Sequence, residues 1–345
     1  MRLICENAVM NNDKLVLLAK NYNVLCEISV SERKILSAIC IPGNSLYGHN
    51  LFSNMIVIGE KIVMIPWCEK CLFVYDYKSG SWEKIILNVD SMLDGAFLRY
   101  PIKYNNKLFI FGGYYPSVVI VNIESKEVEY YDSVFKGKNY NYKDPLFRGE
   151  PLINGKEVFL ASSMDNSVLK FNMENLEYNW YEIAEKTKKY SGIVFWNGRY
   201  WLSTRTENLL VEWDGISEYT IHSFTDYVVD PVFCGLFKDG KDLLIVGVAD
   251  KGTGIIRYKE DGNTEYTKEV LNFVKSIDDN DMVYQRGGTD IIYKNNGNEN
   301  YYNSMLNETI VGRLVQQNIT RKYFTYPLEE SKEISLVTLI KGIVG

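Results

Sequence analysis

Residues 59–86 read GEKIVMIPWCEKCLFVYDYKSGSWEKII. One apolar segment begins at Lys61, a second begins at Cys71 after a short loop, and a third, after a turn, carries Trp82. Short apolar segments separated by turn residues are typical of β-strands. With one further strand ahead of Gly59, this stretch predicts a four-stranded antiparallel unit.

The same unit recurs along the whole chain, and two landmarks within it repeat together. A basic residue opens the second strand at Lys14, Lys61, Lys107, Lys156, Arg199 and Lys241, with Thr289 in the seventh place. An apolar residue followed by a polar one closes the third strand at Cys26-Glu27, Tyr75-Asp76, Val121-Asn122, Phe171-Asn172, Trp213-Asp214, Tyr258-Lys259 and Tyr302-Asn303. A period in the forties with four short strands per unit is typical of β-propeller blades. The sequence therefore predicts an all-β, seven-bladed propeller.

The third unit resembles a kelch repeat. Its second strand runs from Lys107 and ends in the pair Gly112-Gly113, where the kelch pattern places a double glycine. A strand from Val118 to Asn122 and an aromatic-bearing fourth strand follow. The resemblance implies a kelch-like propeller fold. It implies little about activity, because propellers include enzymes, binding proteins and scaffolds.

The C-terminal end of the predicted propeller is less regular. The seventh unit is short and rich in turn residues at 295–298, so a six-bladed ring with an irregular tail is the alternative. After Pro327, acidic residues and apolar residues at helical spacing predict a short C-terminal helix. We therefore expect a propeller domain at 1–326 and a helical tail at 327–345. The helix either packs on the propeller or docks a partner or a second copy.

Composition narrows the function classes. The formal net charge is −6 and no dense run of Lys and Arg occurs, which argues against nucleic-acid binding. No apolar run approaches the length of a membrane span, and the N-terminus does not resemble a signal peptide. Six cysteines in 345 residues do not form a disulfide framework. These features predict a cytoplasmic protein.

A propeller brings two sets of loops to one rim: those that join the second and third strands, and those that link successive blades. Arg99, Arg148 and Arg286 lie near predicted innermost strands, and Arg205 lies on a rim loop. Arginine forks suit carboxylate or phosphate groups. The candidate stacking residues on the same rim are Trp67, Tyr114 and Tyr115. We expect these seven residues to hold an anionic or sugar-like ligand, or, in the alternative, the arginines pair with Glu150, Asp230 and Glu207.

Linear motifs for catalysis are absent from the sequence. The motifs GxSxG, GxGxxG and the P-loop do not occur, so no cofactor is predicted. Cys68 and Cys71 form an isolated CxxC, and only two histidines, His49 and His222, are present, so no metal site is predicted. Cys71 is expected to begin a core strand.

Two functions remain. The first is a non-catalytic binding module that uses its rim and channel to recognise a glycan, peptide or protein partner. The second is an enzyme, a lyase, epimerase or hydrolase, that acts on a sugar or sugar acid in the channel. The lack of catalytic motifs favours the binding module. The C-terminal helix offers a route to self-association.

Overall fold

The structure is a computed structural model of the full chain. It describes residues 5–11, 14–19, 23–29, 34–43, 51–90, 95–138, 140, 145–186, 188–205, 207–224, 233–239, 241–249, 252–270, 282–286, 289–293 and 299–303. These residues form seven antiparallel sheets, six with four strands and one with three. We number the sheets 1 to 7 in chain order.

Each sheet is built from consecutive strands, so its strand order follows the chain. Sheet 1 contains β1 (Cys5–Asn11), β2 (Lys14–Ala19), β3 (Val24–Ser29) and β4 (Lys34–Cys40). Sheet 2 contains β5 (Phe52–Ile58), β6 (Lys61–Pro66), β7 (Cys71–Asp76) and β8 (Ser81–Ile86). Sheet 3 contains β9 (Leu98–Tyr104), β10 (Lys107–Gly112), β11 (Val118–Asn122) and β12 (Val128–Tyr131), followed by a 3-10 turn (Asp132–Phe135).

The second half of the chain repeats this plan. Sheet 4 contains β13 (Leu152–Asn154), β14 (Glu157–Ala161), β15 (Ser167–Asn172) and β16 (Tyr178–Glu182). Sheet 5 contains β17 (Tyr190–Trp196), β18 (Arg199–Thr204), β19 (Leu209–Trp213) and β20 (Tyr219–Ser223). Sheet 6 contains β21 (Phe233–Asp239), β22 (Asp242–Ala249), β23 (Gly252–Tyr258) and β24 (Thr264–Val270). Sheet 7 contains β25 (Met282–Arg286), β26 (Thr289–Tyr293) and β27 (Glu299–Asn303).

Both sequence landmarks fall where the repeat predicts them, except that Cys26-Glu27 lies inside β3, which continues to Ser29. The basic residue, or Thr289 in its place, opens the second strand of each sheet or directly precedes it. Tight turns join the first two strands, and Asn105 and Asn197 there have positive φ angles of 53° and 47°. Asparagine adopts this conformation more readily than most residues, which is why it favours such hairpins. The predicted all-β fold with four-stranded antiparallel sheets is confirmed.

Neighbouring sheets bury their apolar faces against each other. One core cluster joins sheets 2 and 3 through residues such as Val63 and Leu108, and another joins sheets 3 and 4 through Phe111 and Phe171. First strands of neighbouring sheets are in contact, as β5 is with β9 and β1 with β25. The first strands therefore share one inner side, and the fourth strands lie outermost. This arrangement places one set of loops of every sheet on a common rim.

No α-helix is present in the part of the chain that the structure describes. No helix among these residues is long and apolar enough to cross a membrane. The predicted C-terminal helix and the tail at 327–345 lie outside the described residues.

Candidate functional site

Main-chain hydrogen bonds join sheets 2 to 5 along one rim. Within sheets 2, 3 and 5, the residue directly after the second strand donates its N–H to the carbonyl of the residue directly ahead of the first strand, and in sheet 4 Ser163 and Leu146, which lie farther from the strands, make the corresponding bond. These bonds are Trp67 to Leu51 (2.8 Å), Gly113 to Phe97 (2.9 Å), Ser163 to Leu146 (2.9 Å) and Arg205 to Lys189 (2.7 Å). Between sheets, the corresponding bonds are Phe97 to Trp67 (3.0 Å), Leu146 to Gly113 (2.6 Å) and Tyr190 to Ser162 (2.8 Å). We call this set of bonds the rim ladder.

Three aromatic rings stand on the rim ladder where sheet 2 meets sheet 3. The ring centroid of Trp67 lies 5.5 Å from that of Phe97 and 5.0 Å from that of Tyr114. Phe97 and Tyr114 are 6.1 Å apart, and all three contacts are edge-on. Edge-to-face contacts at these distances are favourable for aromatic rings. All three side chains are partly exposed, so we call Trp67, Phe97 and Tyr114 the aromatic platform.

The double glycine Gly112-Gly113 of sheet 3 makes room for this platform. A Cβ atom on Gly113 would lie 2.8 Å from Cζ3 of Trp67, so a side chain there would displace the indole. A Cβ atom on Gly112 would lie 1.7 Å from the carbonyl oxygen of Tyr115, which is closer than any real contact. The indole position and the tight loop at 112–117 both depend on the missing side chains.

Phe97 holds the platform together through an unusual backbone conformation. Its φ angle is 48°, in the left-handed region that a bulky residue seldom adopts. Its carbonyl accepts hydrogen bonds from the N–H groups of Gly113 (2.9 Å) and Tyr114 (3.1 Å). Such strain persists only where the surroundings fix the residue, and it concentrates at functional sites.

Two of the predicted arginines, Arg99 and Arg148, lie near a buried phenol, that of Tyr100. Arg99 is on β9, and its guanidinium lies 5.4 Å from the ring centroid of Tyr100. The phenol of Tyr100 is fully buried, and its loss of hydration raises the pKa to about 12. Positive charge from Arg99 and Arg148 opposes this rise in pKa, while Glu150 adds to it. Arg99, Arg148 and Glu150 are thus all near enough to Tyr100 to affect its pKa, which brings two cationic groups and one acidic group to this phenol.

The other predicted ligand residues lie elsewhere. Arg205 donates from Nη1 to the carbonyl of Ser163 (3.1 Å), a contact between sheets 5 and 4. Tyr115 is partly buried and packs against the core between sheets 2 and 3. Arg286 ends β25, the first strand of sheet 7. Of the alternative acidic partners, Glu207 binds Nζ of Lys188 at 2.5 Å, and Asp230 lies outside the described residues.

A polar cluster occupies the rim of sheet 4. Nζ of Lys138 donates to Asp165 (3.0 Å) and to Ser167 (2.8 Å), and it lies 4.1 Å from the ring centroid of Trp180. Burial alone would raise the pKa of Asp165, but hydrogen bonds from Ser167, Ser162 and Lys138 outweigh it and lower the pKa. These groups satisfy one another, so the cluster stabilises the rim.

The cysteine pair is structural in character. Cys71 begins β7 and is buried, and burial raises its pKa to about 11, which disfavours the reactive thiolate. Among the residues that the structure describes, no group of three or more His, Cys, Asp or Glu is placed to hold a metal ion.

Sequence reasoning missed Phe97. Asp94-Gly95 marks a turn just ahead of it, but nothing in the sequence singles out Phe97, and its neighbours on the platform are 30 and 17 positions away. A signal was present in the repeat itself, because Phe97 stands between a fourth strand and the next first strand. Aligned repeats would have placed it beside Trp67.

No family model matches the chain, and no curated protein matches it in sequence. Solved structures do match. Virginiamycin B lyase from Staphylococcus aureus has a TM-score of 0.59 at 11% identity, over 85% of this chain and 94% of that one. The RRP9 WD40 repeats have a TM-score of 0.54 at 10% identity, over 88% and 92%.

A third match is the extracellular domain of a putative hybrid two component system from B. thetaiotaomicron. Its TM-score is 0.56 at 11% identity, over 88% of this chain and 37% of that one. These similarities show the fold: the chain is a β-propeller repeat protein. The proteins with this fold include a lyase, the extracellular domain of a two component system and WD40 repeats, so the fold alone leaves several functions open.

Proposed function

We propose that this protein is a non-catalytic binding module, a seven-bladed kelch-like propeller that recognises a glycan, peptide or protein partner at its rim and channel. The aromatic platform is the observation that carries the proposal. Three partly exposed rings meet on one rim, next to the strand that carries Arg99. Aromatic faces pack on sugar rings and on apolar or aromatic side chains.

The platform is fixed before any ligand arrives. The rim ladder sets the main chain of Trp67 and Phe97, and Gly113 leaves space for the indole. A ligand therefore does not have to order these rings, and preorganisation of this kind lowers the cost of binding. A surface that served only to close the core would not need an aromatic group held half-exposed.

Charge adds a second element of recognition. Arg99 lies on β9, the first strand of sheet 3, and both Arg99 and Arg148 lie near Tyr100. A guanidinium pairs well with carboxylate or phosphate. The ligand that suits this arrangement has a ring or apolar face for the platform and an anionic group that reaches the arginines.

The enzyme alternative has less support. A variant of the S. aureus lyase with one histidine replaced by alanine is described as catalytically inactive. Of this chain's two histidines, His222 lies on the outermost strand β20 and contacts Glu212 at 2.9 Å, away from the platform. His49 lies outside the described residues. A binding role requires no histidine, whereas a lyase of that kind does.

The test begins with a thermal-shift screen of the purified protein against glycans, metabolites and peptides, because a ligand of the native state raises the melting temperature. For a hit, Tyr114→Ala should weaken binding about five- to tenfold, since a stacking contact of this kind contributes about 1 kcal/mol to the free energy of binding. The matched control is Phe195→Ala, an aromatic side chain that is 46% exposed on β17 next to the Asn197 turn.

Two arginine variants complete the test. Arg99→Ala and Arg148→Ala should weaken binding of an anionic hit while the melting temperature stays close to that of the wild type. If Tyr114→Ala and Phe195→Ala bind equally well, the platform is not the binding site. If the arginine variants unfold early and bind normally, those arginines are structural. Turnover of a hit would favour the enzyme.

A further inference from the structure

The outermost strand of sheet 5 differs from the other outer strands in charge. Among the described strands, β4, β8, β12, β16 and β24 each contain at least one Lys, Glu or both, whereas β20, with the sequence YTIHS, contains no Asp, Glu, Lys or Arg. Charged residues on edge strands prevent pairing with other chains. Strand β20 lacks this protection.

Apolar side chains are exposed on and beside this strand. Tyr219 is 45% exposed and Ile221 is 39% exposed, while Ile216, in the turn just before β20, is 77% exposed. Tyr219 and Ile221 lie opposite Trp213 and Val211 of β19, on the face that packs toward sheet 4. They form the outer margin of that face.

The equivalent residues in sheets 3 and 4 reach back to the preceding sheet. Tyr130 accepts a hydrogen bond at Oη from the N–H of Asn88 (2.6 Å), and Nε1 of Trp180 donates to the carbonyl of Val134 (2.8 Å). Strand pairing places Ile221 at the same position in sheet 5, since Val119, Leu169 and Val211 occupy matching third-strand positions. The side chain of isoleucine has no hydrogen-bond donor or acceptor. Ile221 therefore cannot link the outer strand of sheet 5 to the preceding sheet as Tyr130 and Trp180 do in sheets 3 and 4.

We propose that β20 pairs antiparallel with β20 of a second copy of this chain, about a two-fold axis at Ile221. Within the described residues β20 pairs only with β19, so its outer edge faces away from the sheet. Edge strands with an exposed main chain accept a further strand. In this pairing Ile221 lies opposite Ile221 of the other copy, and Tyr219 lies opposite Ser223.

Charge favours a second copy as the occupant. A partner strand with ionised side chains would find no opposite charge on β20 and would lose hydration on docking. The complementary strand is therefore uncharged, and β20 itself is such a strand. Two-fold pairing also brings Tyr219, Ile221 and their copies onto one continuous face, as symmetric dimers do. Two β-sheets would become one sheet of eight strands.

The contact is small, so the dimer is expected to be weak. A pair of five-residue strands with flanking Ile216 falls at the low end of interface sizes, for which we expect a dissociation constant between about 10 µM and about 1 mM. The protein would then be monomeric when dilute and dimeric when concentrated.

Sedimentation of the full chain from about 5 µM to about 1 mM tests this. The wild-type mass should rise toward that of a dimer with concentration. Ile221→Lys should weaken the dimer at least tenfold, because it sets two lysines opposite each other. The matched control is Ile86→Lys, which adds the same charge at an isoleucine that is 70% exposed on β8 and should leave dimerisation unchanged.

A second variant separates a specific loss of the dimer from misfolding of the Ile221→Lys protein. Ile221→Thr keeps the β-branched side chain suited to a strand and should also weaken the dimer, to a smaller degree. A wild-type chain that stays monomeric at about 1 mM overturns the proposal. Dimerisation that Ile221→Lys leaves unchanged would also overturn it, since the contact would then lie elsewhere, as in the predicted C-terminal helix.

Discussion

Two loops on the rim have the same length and closure but opposite chemistry. Residues 112–117 of sheet 3 read GGYYPS, and residues 162–167 of sheet 4 read SSMDNS. Each loop closes with a main-chain hydrogen bond from its first N–H to its last carbonyl, 3.3 Å in sheet 3 and 2.9 Å in sheet 4. The backbone frame is shared.

The side chains of the two loops make different contacts. In sheet 3 the glycines admit the carbonyl of Tyr115 and the indole of Trp67, which produces an aromatic surface. In sheet 4 the Oγ of Ser162 accepts hydrogen bonds from the N–H groups of Met164 and Asp165 (3.2 Å each), which produces a satisfied polar loop. The comparison shows that main-chain hydrogen bonds stabilise both loops, whereas the side chains differ and give each loop its own surface chemistry.

The largest expected effect comes from filling the first position of each loop. Gly112→Ala places a Cβ atom 1.7 Å from a main-chain oxygen that cannot move alone, so we expect a loss of about 3 kcal/mol in the free energy of unfolding. Ser162→Ala at the matching position removes the hydrogen bonds from the N–H groups of Met164 and Asp165 and the one to the Asp165 carboxylate, and should cost about 1 kcal/mol. Urea denaturation measures the loss in both variants. Equal losses would contradict the difference that we infer between the two loops.

A smaller effect is expected for Arg205, which occupies the same position on the rim ladder in sheet 5 as Trp67 does in sheet 2. Trp67 contacts the next sheet, whereas Arg205 reaches back to the carbonyl of Ser163. Arg205→Ala should lower the free energy of unfolding by about 1 kcal/mol through the lost hydrogen bond and leave ligand binding intact. If Arg205→Ala lost ligand binding without a change in stability, Arg205 would belong to the ligand site as the sequence predicted. The measurement pairs urea denaturation with titration of a hit.

The smallest effect concerns pH. The pKa of Asp165 is lowered in the folded protein, so its ionised form stabilises the fold above the unfolded pKa, near 3.8, and this contribution disappears as the pH falls through the folded pKa. Asp165→Asn should be less stable than the wild type at pH 7, with the difference shrinking below about pH 4. Urea denaturation at both pH values checks this.

Ser167→Ala sharpens the same test. It removes one of the donors that lower the pKa of Asp165, so the folded pKa lies closer to the unfolded one, and the acid loss of stability should be smaller and end at a higher pH than in the wild type. A gap between wild type and Asp165→Asn that stays constant with pH would mean that Asp165 is not held ionised by this cluster.

The strands were predictable from sequence because their pattern is local and repeats. Lys61, Lys107 and Arg199 open second strands as the period requires, and Asn105 and Asn197 mark the turns. Hydrophobic alternation and turn chemistry depend on a few adjacent residues, which a sequence displays directly.

The site was only partly predictable because it depends on contacts between sheets. Trp67 and Tyr114 were expected on the rim and do meet, but Phe97 joins them through a left-handed backbone that no sequence pattern announced. Tyr115 directly follows Tyr114 and yet packs on the core. The guanidinium of Arg205 contacts a main-chain carbonyl, an acceptor that every residue offers and that sequence therefore cannot single out.

The rim ladder also affects how the protein unfolds. Each bond between sheets uses the N–H of one sheet and the carbonyl of its neighbour, so sheets 2 to 5 share hydrogen bonds as well as cores. Releasing one of these sheets would orphan polar groups on the sheets beside it. Open repeat arrays can fray one unit at a time. This stretch should instead lose its structure in a single cooperative step, and its ladder amides should exchange with solvent together.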